Sequence, residues 1–381
     1  MIVDAVLLVW GWSVLMVTAV AVLRSRRLRV GAPPSVHRRT DATILVIRPC
    51  SGAEPGLEAR LVETGAFVAR VDARIVFAVE DACDAARPIA DAAAALLCSR
   101  GLDARVLLTH ANGPNRKADQ LARVLSAHTA DVVVSIDSDI EIGDLHVEDL
   151  LRPLLEEDAA LTWVPPVEIG TQATLGDRVM AAVLGSSLHA FTLLAGLDPR
   201  GLVGKMFAVR RSALESIGGF DALTTYLGED VELGRRLLAT EAKILAVPRV
   251  VLARAQGRSL DATIVRLARW LAVVRAQRPW LLATYPLLFS ATLPIVALSL
   301  ASVREGGSVA PLVVAVVARA VAALAAGRFV DARTRRTAFA WAWAADVALL
   351  VAFFITLVQR RVSWRGRLLE ILPNGELRDA A

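Results

Sequence analysis

The sequence predicts an α/β domain with a mostly parallel, doubly wound sheet, attached to a membrane by apolar helices. Between residues 43 and 136, short β-branched strands alternate with helical stretches, which is the pattern of βαβ units. Uncharged apolar stretches lie near both ends, each about as long as a bilayer crossing requires. The mean hydropathy of +0.51 and the 55% share of hydrophobic residues are too high for a soluble protein of 381 residues.

The first apolar stretch, Ala5–Leu23, contains no charge and is followed at once by several arginines. A signal peptide carries its positive charge before the apolar stretch, so residues 1–28 are predicted to be a retained transmembrane anchor. Arginines favour the cytoplasmic side of a membrane, which places the next domain in the cytoplasm, at the inner membrane in a bacterium. The net charge of +5 therefore indicates a membrane surface, and no basic motif interleaved with aromatic residues indicates nucleic acid.

Residues 42–260 are predicted to form the soluble domain, after a basic linker at Arg29–Asp41 that contains two prolines. Its first four strands are predicted at Thr43–Pro49, Arg74–Val79, Ala104–Leu108 and Val132–Ile136. Helices are predicted between them at Ala85–Arg100 and Lys117–Ala127. The three cysteines have neither CxxC nor metal-site spacing, which favours a reducing compartment.

Two carboxylates, Asp137 and Asp139, directly follow the fourth strand. In open α/β sheets the ligand binds at the carboxyl ends of the strands. Two acids there suit a hard divalent cation that takes its remaining ligands from water and from the phosphates of a nucleotide diphosphate. An acidic turn without a metal gives the same pattern, since Asp is common in turns.

Glu80 and Asp81 end the second strand in the same way, and carboxylates there can accept hydrogen bonds from a base or a ribose hydroxyl. Ordinary turn acids are the alternative. Lys117 lies in the first turn of the next helix, where backbone N–H groups and the helix dipole suit a diphosphate. Neither a Walker A loop nor a G-x-G-x-x-G fingerprint is present.

A third acidic motif ends in Asp230, which opens a helix predicted at Val231–Leu238. Acids are favoured at a helix start by the dipole, but a carboxylate near the membrane could also act as a general base. Farther on, Arg266, Arg269 and Trp270 lie in a basic amphipathic helix within residues 261–280. Such a helix lies along a membrane surface, and its arginines could also neutralise a leaving diphosphate.

Residues 281–360 contain the remaining predicted spans, at Leu281–Val303, Val309–Ala326 and Ala338–Val358. Arg319 and Asp346 are the lone charges of the last two, and we expect them to form an ion pair. Met180–Leu197 is predicted to lie in the interface rather than to cross. Three crossings would place the basic tail, residues 361–381, outside the cell, against the charge rule. A re-entrant segment is the alternative, but the usual dominance of the first helix favours an external tail.

Four motifs, taken in order, resemble the signature of inverting glycosyltransferases of the GT-A fold. They are Glu80-Asp81, Asp137-Ser138-Asp139, Gly228-Glu229-Asp230 and Arg266-Leu267-Ala268-Arg269-Trp270. The single anchor before the domain, the spans after it and the segment Val362–Arg367 resemble the ceramide glucosyltransferase group. Hopanoid-associated glycosyltransferases of bacteria are similar.

The resemblance implies transfer of a hexose, with glucose preferred, from a UDP-sugar to a lipid hydroxyl such as that of ceramide. Asp137 and Asp139 would then hold Mg²⁺ or Mn²⁺, and Asp230 would be the catalytic base. The donor would be bound by six further residues: Glu80, Asp81, Lys117, Arg266, Arg269 and Trp270.

Two departures leave the acceptor open. Ceramide enzymes often lack the acid found here as Asp139, and their histidine segment is interrupted here by Leu188. A hopanoid or diacylglycerol glycosyltransferase and a processive polysaccharide synthase are the alternatives, although a synthase usually has more spans. A membrane scaffold without activity is disfavoured, because every expected acid is present.

Overall fold

The computed structural model describes residues 2–28, 41–170, 172–254, 257–364 and 367–380. The predicted linker before Asp41 and the Arg365-Gly366 part of the tail motif lie outside the described residues. The chain forms two compact units. The sheet unit comprises Leu28–Pro166, Pro199–Ala253 and Ser363–Ala381, and the helical unit comprises Met1–Arg27, Val167–Asp198 and Arg254–Val362.

The strands are β1 (Ile44–Cys50), β2 (Ala73–Val79), β3 (Asp103–Leu108), β4 (Val132–Ile136), β5 (Ile140–Glu141), β6 (Leu161–Trp163), β7 (Pro166–Ile169), β8 (Met206–Arg210), β9 (Ile244–Ala246), β10 (Val251–Arg254), β11 (Arg361–Trp364), β12 (Arg367–Ile371) and β13 (Leu377–Asp379). The helices are α1 (Ile2–Ser25), α2 (Leu57–Val68), α3 (Arg87–Ser99), α4 (Arg116–Ser126), α5 (Val147–Glu156), α6 (Leu175–Ser186), α7 (Phe191–Leu197), α8 (Arg211–Glu215), α9 (Glu229–Ala239), α10 (Leu260–Gln277), α11 (Pro279–Leu282), α12 (Thr292–Arg304), α13 (Ala310–Gly327), α14 (Ala332–Ala340) and α15 (Ala342–Val358). A 3₁₀ turn forms at Asp221–Leu223 and a π-helical turn at Tyr285–Phe289.

The sheet unit is built on a mixed sheet whose strand order, within the described residues, is β3-β2-β1-β4-β8-β6-β9. The pairs β3–β2, β2–β1, β1–β4 and β6–β9 are parallel, whereas β8 runs antiparallel to both of its neighbours. Every residue of β1 and β4 is buried, which explains why these strands read as continuous apolar runs. The parallel arrangement brings the carboxyl ends of β1, β2 and β4 to one edge of the sheet.

The helical unit contains three helices, within the described part of the chain, that are long and apolar enough to cross a membrane. They are Ile2–Ser25, Leu175–Leu197 and Ala310–Gly327. Two further pairs pass the same test but are bent, α11 and the π turn against α12 by 48° and α14 against α15 by 67°. The stretch Met180–Leu197, expected in the interface, thus falls within the candidate span Leu175–Leu197, which contains α6 and α7 and whose most apolar part is 89% buried.

The expected ion pair between the lone charges of α13 and α15 is confirmed. Arg319 Nε lies 3.5 Å from Asp346 Oδ2; the Asp346 side chain is buried in the helical unit and that of Arg319 is 13% exposed. The same guanidinium also donates to the carbonyl oxygens of Ser186 and Ala342. One side chain therefore ties α13 to the end of α6 and to the start of α15.

The C-terminal tail is part of the sheet unit. Its strands β12 and β13 pair antiparallel, and the Leu377 N–H donates to the carbonyl of Thr225 at 2.6 Å. The Leu227 N–H donates in turn to the carbonyl of Gly375 at 3.1 Å. A tail that packs on the domain lies on the same side of the membrane as the domain. The preference for an external tail is therefore wrong, since an odd number of crossings would have separated the two.

Candidate active site

The turn after β4 is held by two arginines. Arg48, fully buried in β1, donates to the carbonyls of Asp137 at 3.0 Å and Ile140 at 2.8 Å. Arg60 donates through Nε to the carbonyl of Ser138 at 2.7 Å. Three of the four carbonyls of residues 137–140 are therefore bound, which restrains the turn that carries the two aspartates.

Lys205 joins the two aspartates of the turn. Its Nζ lies 2.6 and 2.8 Å from the carboxylate oxygens of Asp139 and 3.1 Å from Asp137 Oδ2. The lysine is brought there because β8 runs antiparallel to β4 and pairs Met206 with Ile136, so the residue before β8 lies opposite the residue after β4. Sequence reasoning missed Lys205, because a strand pattern does not reveal which strand runs in reverse.

The first turn of α4 connects the ends of β2 and β4. Arg116 forms an ion pair with Glu80, which follows β2. The next residue, Lys117, places Nζ 2.7 Å from Asp137 Oδ1 and 3.2 Å from Glu229 Oε1. The predicted donor residues Glu80 and Lys117 and the predicted metal ligand Asp137 are thus linked through a single helix start.

Asn115 joins the start of α4 to the start of α9. Its side-chain oxygen caps α4 by accepting from the Ala118 N–H at 3.1 Å. Its amide nitrogen donates to the carbonyl of Tyr226 at 2.8 Å and to Glu229 Oε2 at 2.9 Å. The cap residue of one helix therefore fixes the first turn of the other.

Asp230 is held in the same cluster by the peptide of Gly204. The Gly204 N–H donates to Asp230 Oδ2 at 2.7 Å, and the Gly204 carbonyl accepts from Lys117 Nζ at 2.7 Å. A Cβ at position 204 would lie 2.6 Å from Cβ of Asp230, so only glycine allows this approach. The Gly204 peptide thus links the predicted base to Lys117, which itself pairs with the predicted metal ligand Asp137.

Burial and charge give the clustered groups distinct proton affinities. Burial raises the pKa of Asp230 to about 6, and the neighbouring Glu229 carboxylate adds to that rise. Burial also acts to raise the pKa of Asp137, but the ammonium groups of Lys117 and Lys205 outweigh it, so this pKa lies below its ordinary value. For Lys117, the carboxylates of Asp137 and Glu229 outweigh burial, and its pKa is raised.

Asp81 follows Glu80 at the same edge of the sheet. Its Oδ1 accepts a hydrogen bond from the Cys83 N–H at 2.7 Å, which fixes the turn after β2. Strand β1 separates β2 from β4, so this turn is about 10 Å from the turn that carries Asp137, two strand spacings away. That separation suits one ligand longer than a single phosphate.

The remaining predicted donor residues belong to α10 in the helical unit. Arg266 lies 3.7 Å from the half-buried Glu168, and its guanidinium lies 5.1 Å from the centre of the Trp270 ring. His189 stacks on Trp270 at 6.1 Å, and its Nε2 lies 3.1 Å from the Tyr285 hydroxyl. Arg269 lies on the same helix. Sequence reasoning missed Glu168, which comes almost a hundred residues before its partner.

The chemistry of the site fits a divalent cation whose coordination is completed by a substrate. Asp137 and Asp139 offer hard oxygen ligands, the kind that Mg²⁺ and Mn²⁺ prefer. No group of three or more His, Cys, Asp or Glu side chains forms a metal site among the residues described. Two carboxylates with substrate phosphates and water are a usual set for Mg²⁺, and a cation here would take the place beside both carboxylates that the Lys205 ammonium holds in this structure.

Comparison with known structures supports the fold. A mannosyltransferase from Pyrobaculum calidifontis, solved with GDP-Man and Mn²⁺, aligns with a TM-score of 0.50 at 14% identity, over 93% of this chain and 99% of its own. Glucosyl-3-phosphoglycerate synthase from Mycobacterium tuberculosis, solved with Mg²⁺ and UDP, aligns with a TM-score of 0.40 at 22% identity, over 64% and 85%. No protein of curated function matches the sequence.

The predicted α/β fold of the GT-A type is confirmed by this architecture and by the full-length alignment with the archaeal mannosyltransferase. The family model for glycosyl transferase family 21 matches residues 9–377, almost the whole chain. The protein is therefore a glycosyltransferase and belongs to glycosyl transferase family 21.

Proposed function

We propose that this glycosyltransferase moves a hexose, with glucose preferred, from a UDP-sugar to the hydroxyl of a membrane lipid such as ceramide, with inversion. One observation carries the proposal. The predicted metal ligand Asp137 is paired with Lys117, and the peptide of Gly204 links that lysine to the predicted base Asp230, although the three residues are far apart in sequence. The candidate spans support a lipid acceptor, and family membership supports glycosyl transfer.

The donor would bind along the carboxyl edge of the sheet. Asp137 and Asp139 would hold Mg²⁺ or Mn²⁺, which offsets the negative charge that develops on the departing UDP. Glu80 and Asp81 would contact the uridine. The archaeal mannosyltransferase was solved with Mn²⁺ and a nucleotide sugar, which is consistent with this arrangement.

Positive side chains would assist the leaving group. Lys117 and Lys205 already lie within the carboxylate cluster, where they lower the charge that a diphosphate would meet. Arg266 and Arg269 would contribute guanidinium groups, which match phosphate geometry, and Trp270 would cover the donor. The carboxylate of Glu168, 3.7 Å from Arg266, would help to orient this guanidinium and so reduce the side-chain entropy lost on binding.

Asp230 would act as the general base. Its pKa of about 6 keeps it ionised at neutral pH but leaves it more basic than an exposed carboxylate. The lipid hydroxyl would lose its proton to Asp230 as its oxygen forms a bond to the anomeric carbon. The bond from that carbon to the UDP oxygen would break on the opposite face, and the electron pair would leave with UDP. A single displacement inverts the sugar and needs no covalent intermediate.

The test is a transfer assay on membranes that contain the full-length protein. Labelled UDP-glucose, UDP-galactose and UDP-GlcNAc are offered with ceramide, diacylglycerol or a hopanoid, and the lipid product is identified. Asp230→Asn should lower turnover by at least about 100-fold, the usual contribution of a general base, while UDP still binds in the presence of Mn²⁺.

Asp221→Asn is the matched control. Asp221 is an exposed acid of the same unit, located in a 3₁₀ turn before α9, and its replacement should leave transfer unchanged. Full activity of Asp230→Asn would refute the assigned base. A wild-type protein that moves none of these sugars to any of these lipids would refute the proposed substrates.

A further inference from the structure

We propose that the C-terminal hairpin, formed by β12 and β13, is a positioning element of the active site. The inference rests on the proposed function, because it assigns a task to the segments that carry Lys117 and Asp230. The hairpin is more than a hundred residues from either motif in sequence, but it contacts the loops that lead into both helices. Three sets of contacts support this proposal.

The first set holds the loop before α4. Arg367 donates through one terminal nitrogen to the carbonyls of Asn112 and Gly113, each at 3.1 Å. From the other side, Asp119 accepts from the N–H groups of the same two residues at 2.8 and 2.9 Å. The two residues are therefore hydrogen-bonded to a guanidinium through their carbonyls and to a carboxylate through their N–H groups. Lys117 follows four residues later, so its position depends on these hydrogen bonds.

The second set orients the guanidinium itself. The other terminal nitrogen of Arg367 donates to both carboxylate oxygens of Asp379, at 2.7 and 2.8 Å. Charge-assisted hydrogen bonds of this kind fix the planar group in one orientation. Because Asp379 lies on β13 and Arg367 on β12, the pairing of the two strands determines the orientation of the Arg367 side chain that binds the loop.

The third set holds the segment before α9. Backbone hydrogen bonds join Leu377 to Thr225 and Leu227 to Gly375, and Tyr226 pairs with Glu376 in an isolated bridge. This segment runs directly into the helix that carries Asp230. The hairpin is anchored in turn by its apolar side chains, since Leu369 is fully buried and Leu377 nearly so. One small sheet thus fixes the approach of both helices.

These contacts affect the rate of transfer, because they set the positions of two active-site side chains. Lys117 and Asp230 are each hydrogen-bonded to the peptide of Gly204 at 2.7 Å, and a shift of either helix would lengthen these bonds. Misplacement by about 1 Å can lower a rate about 100-fold without any loss of reactive groups. Arg367 is therefore a positioning residue, which acts on the reaction through the loop before α4.

The experiment compares hairpin variants of the full-length protein in membranes. Arg367→Gln removes the guanidinium that binds the loop before α4. Asp379→Asn weakens the contact that orients this guanidinium, and Arg367→Lys keeps a single cationic donor. Arg378→Gln is the matched control, because Arg378 is 66% exposed and pairs with Glu370 on the hairpin. The measurements are amide hydrogen exchange of residues 112–118 and 224–230, and kcat and KM for transfer from UDP-glucose.

In Arg367→Gln we expect faster exchange in both segments, unchanged exchange in β1 and β2, and a kcat lowered about tenfold or more. Asp379→Asn and Arg367→Lys should fall between this variant and wild type, and Arg378→Gln should match wild type. If Arg367→Gln fails to fold, the same measurements on Asp379→Asn test the proposal.

Unchanged exchange in both segments would overturn the proposal, as would equal effects of Arg367→Gln and Arg378→Gln. Hydrogen exchange needs no substrate, so it reports on the hairpin even if the wild type transfers no glucose. A wild-type protein that transfers no glucose would contradict only the proposed function.

Discussion

The peptide of Gly204 lies between Lys117 and Asp230, and its two polar groups are hydrogen-bonded to both. A methyl group at this position would lie 2.6 Å from Asp230 Cβ and 2.9 Å from its Oδ2, which is too close for either to remain in place. We expect Gly204→Ala to displace the carboxylate and to lower kcat about 100-fold, as loss of a general base does. The measurement is turnover of UDP-glucose at saturating lipid.

Gly234→Ala is the control for that substitution. Gly234 lies inside α9, the helix that Asp230 opens, and a Cβ there would make an ordinary contact of 3.6 Å with Leu202. Alanine also favours the helix interior, so activity should equal that of wild type. Retention of full turnover in Gly204→Ala would show that the base is not held by this peptide.

The proton affinity of Asp230 predicts a pH profile. A general base must be ionised, and burial raises the pKa of Asp230 to about 6. Activity should therefore be lost as the pH falls through about 6, with kcat/KM decreasing about tenfold for each further unit. Rates measured across this range, with UDP-glucose and a lipid acceptor, test the assignment. An inflection near the ordinary carboxyl pKa of about 4 would contradict it.

Glu229→Gln gives an independent check on the cause of that shift. The Glu229 carboxylate is a like charge next to Asp230 and helps to raise its pKa. Its neutralisation should move the inflection of the profile to lower pH. A profile that stays in place, or that moves to higher pH, would show that another group governs it.

At the residue scale, the sequence reveals groups whose position is set by their own strand or helix. Asp137 and Asp139 follow a buried apolar run, so their place at the sheet edge can be predicted. Arg48 could not be assigned, because a charged residue in an apolar strand gives no sign of the carbonyls it will bind. Lys205 and Gly204 depend on the reversed direction of β8, which is a property of the sheet rather than of the local sequence.

At the element scale, the predicted strands agree with the structure to within one residue at each end, because buried parallel strands have a strong apolar signal. The starts of α4 and α9 are also close to prediction, since Asn115 and Gly228 mark them. The coupling between these two helix starts was not predictable. It depends on hydrogen bonds of Asn115 to residues more than a hundred positions away.

The pair between α13 and α15 predicts a non-additive effect on stability. Asp346 is buried and Arg319 is largely shielded from solvent, so Asp346→Leu leaves a guanidinium without its carboxylate. Removal of one partner of a buried pair costs about 3–5 kcal/mol. We expect either single leucine variant to lower the thermal midpoint of the protein in detergent, as followed by its intrinsic fluorescence.

The double variant, Arg319→Leu with Asp346→Leu, should recover most of that loss, because apolar replacement of a whole buried pair is often close to neutral. The charge-reversed pair, Arg319→Asp with Asp346→Arg, should recover part of it. Two single variants as stable as wild type, or losses that simply add in the double variant, would show that the pair contributes little to the packing of these helices.

At the scale of the whole molecule, the sequence suggested the membrane helices but not the number of crossings. The span count and the dominance of the first helix placed the tail outside, against the charge rule, whereas the tail packs on the sheet unit. Contacts within the helical unit indicate the path. The end of α12 meets the start of α1 through Ser302 and Asp4, and the end of α13 meets the end of α1 through Arg328 and Ser25. Helix α12 therefore ends beside the start of the N-terminal anchor, and α13 ends beside its last residues.

The remaining pair, α14 and α15, must then begin and end on one side. The two helices are bent against each other by 67°, and the carbonyl of Ala342 at the start of α15 is bound by Arg319, halfway along α13. A bend at that depth is typical of a re-entrant hairpin that enters the membrane and returns. This arrangement gives an even number of crossings between the sheet unit and the tail, and it satisfies the charge rule.

Labelling with a membrane-impermeant maleimide tests this path. Cys83 is an exposed thiol of the sheet unit, and Pro373→Cys places one on the tail. For the tail and loop variants, Cys83 and Cys98 are first replaced by serine, which leaves only the buried Cys50.

In sealed vesicles Cys83 and the residue-373 thiol should react from the same face, because the domain and the tail form one unit. A thiol at Ser308→Cys, between α12 and α13, should react from the other face. Labelling of the tail and Cys83 from opposite faces would require that α14 and α15 cross the membrane, and would separate the tail from the active site it is proposed to position.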